Sequence, residues 1–307
     1  MDQVEYTNTR RFNRCRGANP RPGNPDLIQK RISELLPNLF DVDPPYIQGD
    51  DPVVLTASFI KNIEVHLLPG GRTIKSKTLE LTNSTLRPAF GGYGILKKMV
   101  ESEPKEYYKT LWSKSGEMPI WIGSFGYERP FEDVLESFSV TKFGGARVTR
   151  GSKEALVTLG DAVGLVASGN LSTNMTTEEV SSVPIPIPKK EPIIEAIREM
   201  VSKNIRRLFV ESEEGRFISD RTVIDFMFSP MRLGLARDHP EQWVDGTVAD
   251  LDLKTPGRCR NGSLDEAARE MGSAPDDCLM TEDYRVISRW DVVVKPWRAG
   301  KLTTTEN

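Results

Sequence analysis

The chain has 307 residues, of which 38% are hydrophobic and 28% charged, and a formal net charge of −3. That length allows about two domains of roughly 150 residues, and the composition is that of a chain that buries a core, which excludes wholesale disorder. The charge balance gives no global attraction for nucleic acid, and three scattered cysteines (Cys15, Cys259, Cys278) build neither a disulfide framework nor a zinc ribbon.

No apolar stretch approaches the roughly 20 residues that span a bilayer. The N-terminus, MDQVEYTNTRRFNRCRG, has no apolar segment of the signal-peptide kind. The expected location is therefore cytoplasmic, with no membrane partner, and the sequons at Asn83, Asn174 and Asn261 are chance matches.

In chain order, residues 1 to about 25 place Arg10, Arg11, Arg14, Arg16 and Arg21 among Asn, Pro and Gly, which reads as a basic arm. PDLIQKRISELLPNLF follows, with Leu27, Ile28, Ile32, Leu35 and Leu36 on one face of an expected helix, so residues 1–40 form arm and helix. Within 41–118, NIEVHLLPGGRTIKSKTLEL reads as two strands around a Pro-Gly-Gly turn. GILKKMVESEPKEYYKTLW reads as a helix interrupted near Pro104.

From about Pro119 a unit recurs: a short strand, an amphipathic helix, two strands around a turn, then a second helix. The clearest copy is residues 183–228, where Ile193, Ile194, Ile197, Met200 and Val201 form a helix face, Ile205–Val210 and Phe217–Ser219 are strands around Glu213-Glu214-Gly215, and Asp220 opens the next helix. In residues 247–296, SLDEAAREM takes the place of PIIEAIREM, DDCLMTEDYRV the strand-turn-strand, and ISRWDVV the place of ISDRTVI. In residues 120–165, PFEDVLESFSV is the first helix, GARVT and ALVT are the strands, and LGDAVGL opens the second helix. The corresponding domains are 119–179, 180–230 and 243–300.

This unit resembles the CBS domain, the β-α-β-β-α module named after cystathionine β-synthase. The residues that carry the resemblance are Glu195 to Met200, then Asn204 to Val210, and the hydrophobic-hydrophobic-Ser/Thr-x-x-Asp signature after each second strand. The resemblance covers about residues 119 to 300. It implies an α+β or α/β fold of tandem CBS modules paired into Bateman-type modules. Three copies leave one unpaired, so a degenerate fourth module is expected in 41–118, with PAFGGYGILKKMV as its strand and second helix; otherwise that region is a separate small domain. With the fourth module, the pairs are 41–178 and 180–300.

The Ser/Thr-x-x-Asp signature has two readings. A helix start gathers unpaired N–H groups and the positive end of the dipole, which favours phosphate. The resemblance implies that Thr158 or Ser288 bonds a phosphate or sugar oxygen while Asp161 or Asp291 accepts both hydroxyls of a ribose. The same residues also make a capping arrangement, with the hydroxyl at the N-cap and the carboxylate near N3. Ser219-Asp220-Arg221-Thr222 has Thr in the place of that Asp. Arg221 and Arg289, in the first turn, and Arg206 and Arg207, entering the adjacent strand, are candidate phosphate ligands or solvated surface residues. Trp290 reads as packed core rather than a base platform.

Catalytic signatures are missing: no P-loop, no G-x-G-x-x-G after a strand, no G-x-S-x-G, and only His66 and His239. No catalytic residue, metal or cofactor is expected. The expected protein is a non-catalytic regulatory sensor. Its ligand is AMP, ADP, ATP or S-adenosylmethionine, held between paired modules, and the resemblance implies a homodimer. Two alternatives stand beside it: a nucleic-acid-binding regulator using the arginine arm, and a structural scaffold with empty clefts.

Overall fold

The structure, a computed structural model, describes residues 28–40, 93–102, 105–106, 123–141, 144–151, 153–227 and 229–305. The basic arm and the strands expected around Pro69-Gly70-Gly71 lie outside them. In place of the long helix expected before Phe40, one helical turn, α1 (Ile32–Leu35), stands between extended Arg31 and Leu36, with Pro37 following. Ile28, Ile32, Leu35, Leu39 and Phe40 are buried all the same, because this segment lies against the module at 123–167, where Arg31 bridges to Pro130. Helix α2 (Tyr93–Ser102) forms as expected.

Three β-α-β-β-α modules follow. Module A is β1 (Gly123–Gly126), α3 (Phe131–Thr141), β2 (Gly145–Arg150), β3 (Lys153–Thr158) and α4 (Leu159–Ala167). After it come β4 (Leu171–Thr173) and α5 (Thr177–Val180). Module B is β5 (Pro186–Ile187), α6 (Ile193–Ser202), β6 (Arg207–Val210), β7 (Phe217–Ser219) and α7 (Asp220–Met227), followed by α8 (Pro230–Asp238). Module C is β8 (Gly257–Arg258), α9 (Leu264–Met271), β9 (Cys278–Met280), β10 (Val286–Ser288) and α10 (Arg289–Arg298), followed by β11 (Leu302–Thr304). In each module the first two strands pair parallel and the last two antiparallel.

The repeat is also one of packing. The first helices bury the same i, i+3, i+4, i+7 positions: Phe131, Val134, Leu135 and Phe138 in A; Ile193, Ala196, Ile197 and Met200 in B; Leu264, Ala267, Ala268 and Met271 in C. That stripe covers the module's sheet, and each large side chain in it contributes roughly 1.5–3 kcal/mol.

Two kinds of contact join the modules. Sheets B and C face each other, with Phe209 and Phe217 of B packed on Cys278 and Met280 of C. Each of these two modules also lends its lead-in segment to the other: Thr176 and Ser182, ahead of B, bridge to Ser263 and Val286 of C, and Thr247 and Lys254, ahead of C, bridge to Pro192 and Phe217 of B. Modules A and C instead meet through helices, α4 against α9 and α10, and share one core. Strands β4 and β11 pair antiparallel behind that contact. Helix α2 packs on α6 and α7 in the corresponding way and brings Leu96 and Met99 into the core of B.

Candidate functional site

Strand register aligns the modules at the start of each second helix. Gly145 pairs with Thr158 in A, Arg207 with Ser219 in B, and Cys278 with Ser288 in C. The residues just before and just after these pairs, Gly144 and Leu159, Arg206 and Asp220, Asp277 and Arg289, therefore occupy one position in each module.

In A and C the Ser/Thr-x-x-Asp signature forms a helix cap. Asp161 Oδ2 accepts from the backbone N–H of Thr158 at 2.6 Å and from its hydroxyl at 2.8 Å, and the Asp161 side chain is buried. Asp291 Oδ2 accepts from the N–H and hydroxyl of Ser288 at 2.8 and 2.7 Å, and Lys295 Nζ lies 2.6 Å from its other oxygen. The N–H group that the carboxylate satisfies is one that the helix start leaves without an intrahelical partner. In B, Thr222 occupies this position: its hydroxyl accepts from Ser219 N–H at 3.2 Å and lies 3.1 Å from the Ser219 hydroxyl.

Module B gains its carboxylate from module C instead. Asp276 Oδ2 accepts from the Ser219 hydroxyl and, at 3.3 Å, from that of Thr222, and Asp276 Oδ1 lies 3.6 Å from Arg221 Nη1. The local chain explains the reach. Six residues (272–277) join α9 to β9, against four (203–206) joining α6 to β6. The longer turn has two successive residues in the left-handed region, Asp276 (φ 47°) and Asp277 (φ 53°), where Asp and Asn are the tolerated non-glycine types.

All four candidate arginines meet at this cleft. Arg207 Nη2 donates to the backbone carbonyls of Asp276 and, at 3.0 Å, Asp277, while its Nε is buried with no hydrogen-bond partner. Arg289 pairs with Asp277, and Arg206 reaches Asp220 Oδ2 through Nη2 and Nε at 2.6 and 2.7 Å. Burial pushes the Asp220 carboxyl up against the pull of Arg206. Burial, with the guanidiniums of Arg206, Arg221 and Arg207 close by, pulls the Arg289 guanidinium down against Asp277. Such a group of cations in a half-buried cleft is relieved by an anion. Beside it lies the apolar floor of Phe209, Phe217, Cys278 and Met280.

The sequence candidates thus divide. Ser219, Arg206, Arg207, Arg221 and Arg289 come together between B and C. Ser288 and Asp291 cap the adjacent helix of C, close enough for Asp291 to act on the Cys278 thiol. Thr158 and Asp161 cap α4 of module A. Trp290 is partly buried against the core shared by A and C, with Arg298 Cζ 5.7 Å from its ring centre. Sequence reasoning missed Asp276 and Asp277, and read Thr222 only as the residue that replaces the signature Asp; the signal for the two acids was the Pro-Asp-Asp run at 275–277, a turn composition between helix and strand. Among the described residues no group of His, Cys, Asp and Glu is arranged to hold a metal ion. Burial pushes the thiols of Cys259 and Cys278 up to about 11, so both stay protonated at neutral pH. No helix among the described residues is long and apolar enough to cross a membrane.

No family model and no curated protein matches the sequence. Solved structures do. A Methanocaldococcus jannaschii protein, described as a proposed archaeal homologue of g-AMPK, superposes with a TM-score of 0.56 at 16% identity over 87% of this chain and 99% of its own. A conserved Pyrococcus horikoshii protein matches at 14% identity and a TM-score of 0.39, over 57% of this chain and 79% of its own. A CBS-pair protein of Arabidopsis thaliana matches at 15% and 0.31, over 42% and 98%. The first of these carries the likeness across nearly the whole chain, and at such identity it speaks for the fold alone. With three β-α-β-β-α repeats in register and B and C paired sheet to sheet, the chain has the fold of tandem CBS modules.

Proposed function

We propose that the chain is a non-catalytic regulatory protein that holds an adenine nucleotide or related adenosyl ligand between paired modules. The observation that carries this reading is the convergence of Arg206, Arg207, Arg221 and Arg289 on one cleft beside an apolar floor. Phosphates would take the guanidiniums, and the base would lie on the apolar strand residues. A ribose would sit on Asp291 here or on Asp161 in the other pair. Ribose at Asp291 would displace Lys295, since both carboxylate oxygens are engaged. The resemblance of the repeats to CBS domains puts AMP, ADP, ATP and S-adenosylmethionine first among anions to try, and the archaeal neighbour's relation to g-AMPK points the same way.

Such a ligand would shift the relative orientation of B and C, and a partner would read the change. The helix contacts between α4 and α9 and between α2 and α6 would carry it to the rest of the chain. The test is calorimetry of the full chain against those four ligands. Binding that weakens about tenfold or more in both Arg289→Gln and Asp291→Ala supports the reading. Unchanged affinity in both variants, or no heat and no thermal shift with any of the four, refutes it, since a ligand at 100 times its Kd stabilises by about 2.7 kcal/mol.

A further inference from the structure

We propose that Asp276 is a built-in competitor for the anion subsite of module B: its carboxylate occupies the place an incoming phosphate would take, and the site opens only when the 272–277 turn withdraws. This rests on the reading of the B–C cleft as a nucleotide site.

Three observations converge on it. First, Thr222 stands in module B where A and C carry the capping Asp, and the module's own acid in that turn, Asp220, serves Arg206 and the N–H of Arg221, so the carboxylate seated on the Ser219 and Thr222 hydroxyls comes from the opposite module. Second, the Asp276 side chain is 7% exposed, so a full carboxylate is held in the cleft by groups suited to hold an anion: two hydroxyls and the Arg221 guanidinium. Third, the same turn occupies the other cations, with Arg207 on its carbonyls and Arg289 on Asp277. Arg206 is served from within module B, by Asp220.

The fit of this internal occupant is imperfect. Arg207 Nε stays buried without a partner, and the turn holds two consecutive non-glycine residues at positive φ, a conformation that persists where the surroundings over-determine it. A phosphate, with more acceptor oxygens than a carboxylate, would serve the same donors and release the turn. The turn leaves directly from α9, whose other end of contacts is the core shared with module A. Displacement of Asp276 therefore has a mechanical route out of the cleft, and occupancy of the B subsite would be read as movement of this turn.

The test uses the full chain and a probe without adenosine. Binding of tripolyphosphate is measured by calorimetry at fixed ionic strength for wild type, Asp276→Asn and Asp276→Gly. Both replacements tolerate the left-handed backbone, and thermal melts establish that they fold. The expected result is binding about tenfold or more tighter in both variants than in wild type, while Asp283→Asn, a carboxylate that accepts from Asn261 away from the cleft, leaves it unchanged. Equal or weaker binding in both Asp276 variants overturns the proposal. Failure of both to fold overturns it as well, because Asp276 is then a structural keystone and not a displaceable occupant. Nucleotide binding by wild type with no gain in the variants would sink the competitor and leave the nucleotide reading standing. A gain for tripolyphosphate with no nucleotide bound by any form would do the reverse.

Discussion

Modules B and C solve one structural problem with opposite charges. At the position where the strand enters beside the second helix, B pairs Arg206 with Asp220 and C pairs Asp277 with Arg289. Module A fills the same position with Gly144 and Leu159, where a Cβ on the glycine would stand 2.7 Å from Leu159 Cδ1. The backbone bond beneath is the same in A and B: Leu159 N–H donates to Gly144 O at 2.9 Å, and Asp220 N–H to Arg206 O at 3.0 Å. One backbone frame thus carries an apolar closure in A and two ion pairs of reversed polarity in the facing modules. Polarity at this position is free for the fold to choose, and the chain uses it to gather four arginines in one cleft.

The largest effect that would break this comparison lies in the B pair. Arg206→Ala leaves a buried carboxylate uncompensated. The expected loss is roughly 2 kcal/mol, below the range for a fully buried pair because the guanidinium is partly exposed. The exchange Arg206→Asp with Asp220→Arg should recover most of it in a denaturant-melt double-mutant cycle. No recovery would mean that polarity is fixed by module C across the cleft, and the two pairs would not be equivalent.

The apolar version in A can be pressed next. Gly144→Ala pushes a Cβ into Leu159, an overpacking that destabilises by about 1–2 kcal/mol. The companion change Leu159→Ala, which opens the space, should make Gly144→Ala close to neutral; a persistent loss would point to backbone strain instead of this contact.

Restoring the signature in B sharpens the comparison of caps. Thr222→Asp sets a second carboxylate beside Asp276, whose Oδ2 lies 3.3 Å from the Thr222 hydroxyl. Like charges at that distance disfavour joint ionisation, so a loss of about 1 kcal/mol is expected, regained when Asp276→Asn is added. Additive losses in the pair would show that Asp276 does not share the cap.

The smallest effect concerns pH. The carboxylates of Glu179 and Asp250 are held below their ordinary range by the backbone N–H groups of Thr176 and Thr247. Their contribution is full above the unfolded value and is lost as pH falls through the folded one. Asp220 works the other way. Burial raises its folded-state carboxyl, so between its ordinary value of 3.8 and that raised value the folded chain holds the proton more tightly and acidification favours folding. Asp220→Asn removes this offset and should steepen the fall in Tm between about pH 7 and about pH 4. A parallel pair of curves would show that Arg206 cancels the burial.

Much of this was legible in residues 183–228, where helix, strand, turn and strand fall where the apolar spacing places them. The helix expected before Phe40 was not: its apolar positions fit a helical face, but the tertiary contact with module A buries them in a single helical turn and the turns around it, and Pro37 follows where that turn stops. Local pattern records which residues are buried and is silent on what buries them.

By itself, then, the sequence determined the repeat, the order of strands and helices within it, and the Ser/Thr-x-x-Asp positions, because these depend on residues near one another in the chain. Only the tertiary structure decided which arginines share a cleft and that the acid at the cap of module B comes from module C. Asp276 and Ser219 are 57 residues apart, and a turn two residues longer than its counterpart brings them together through the facing of two sheets.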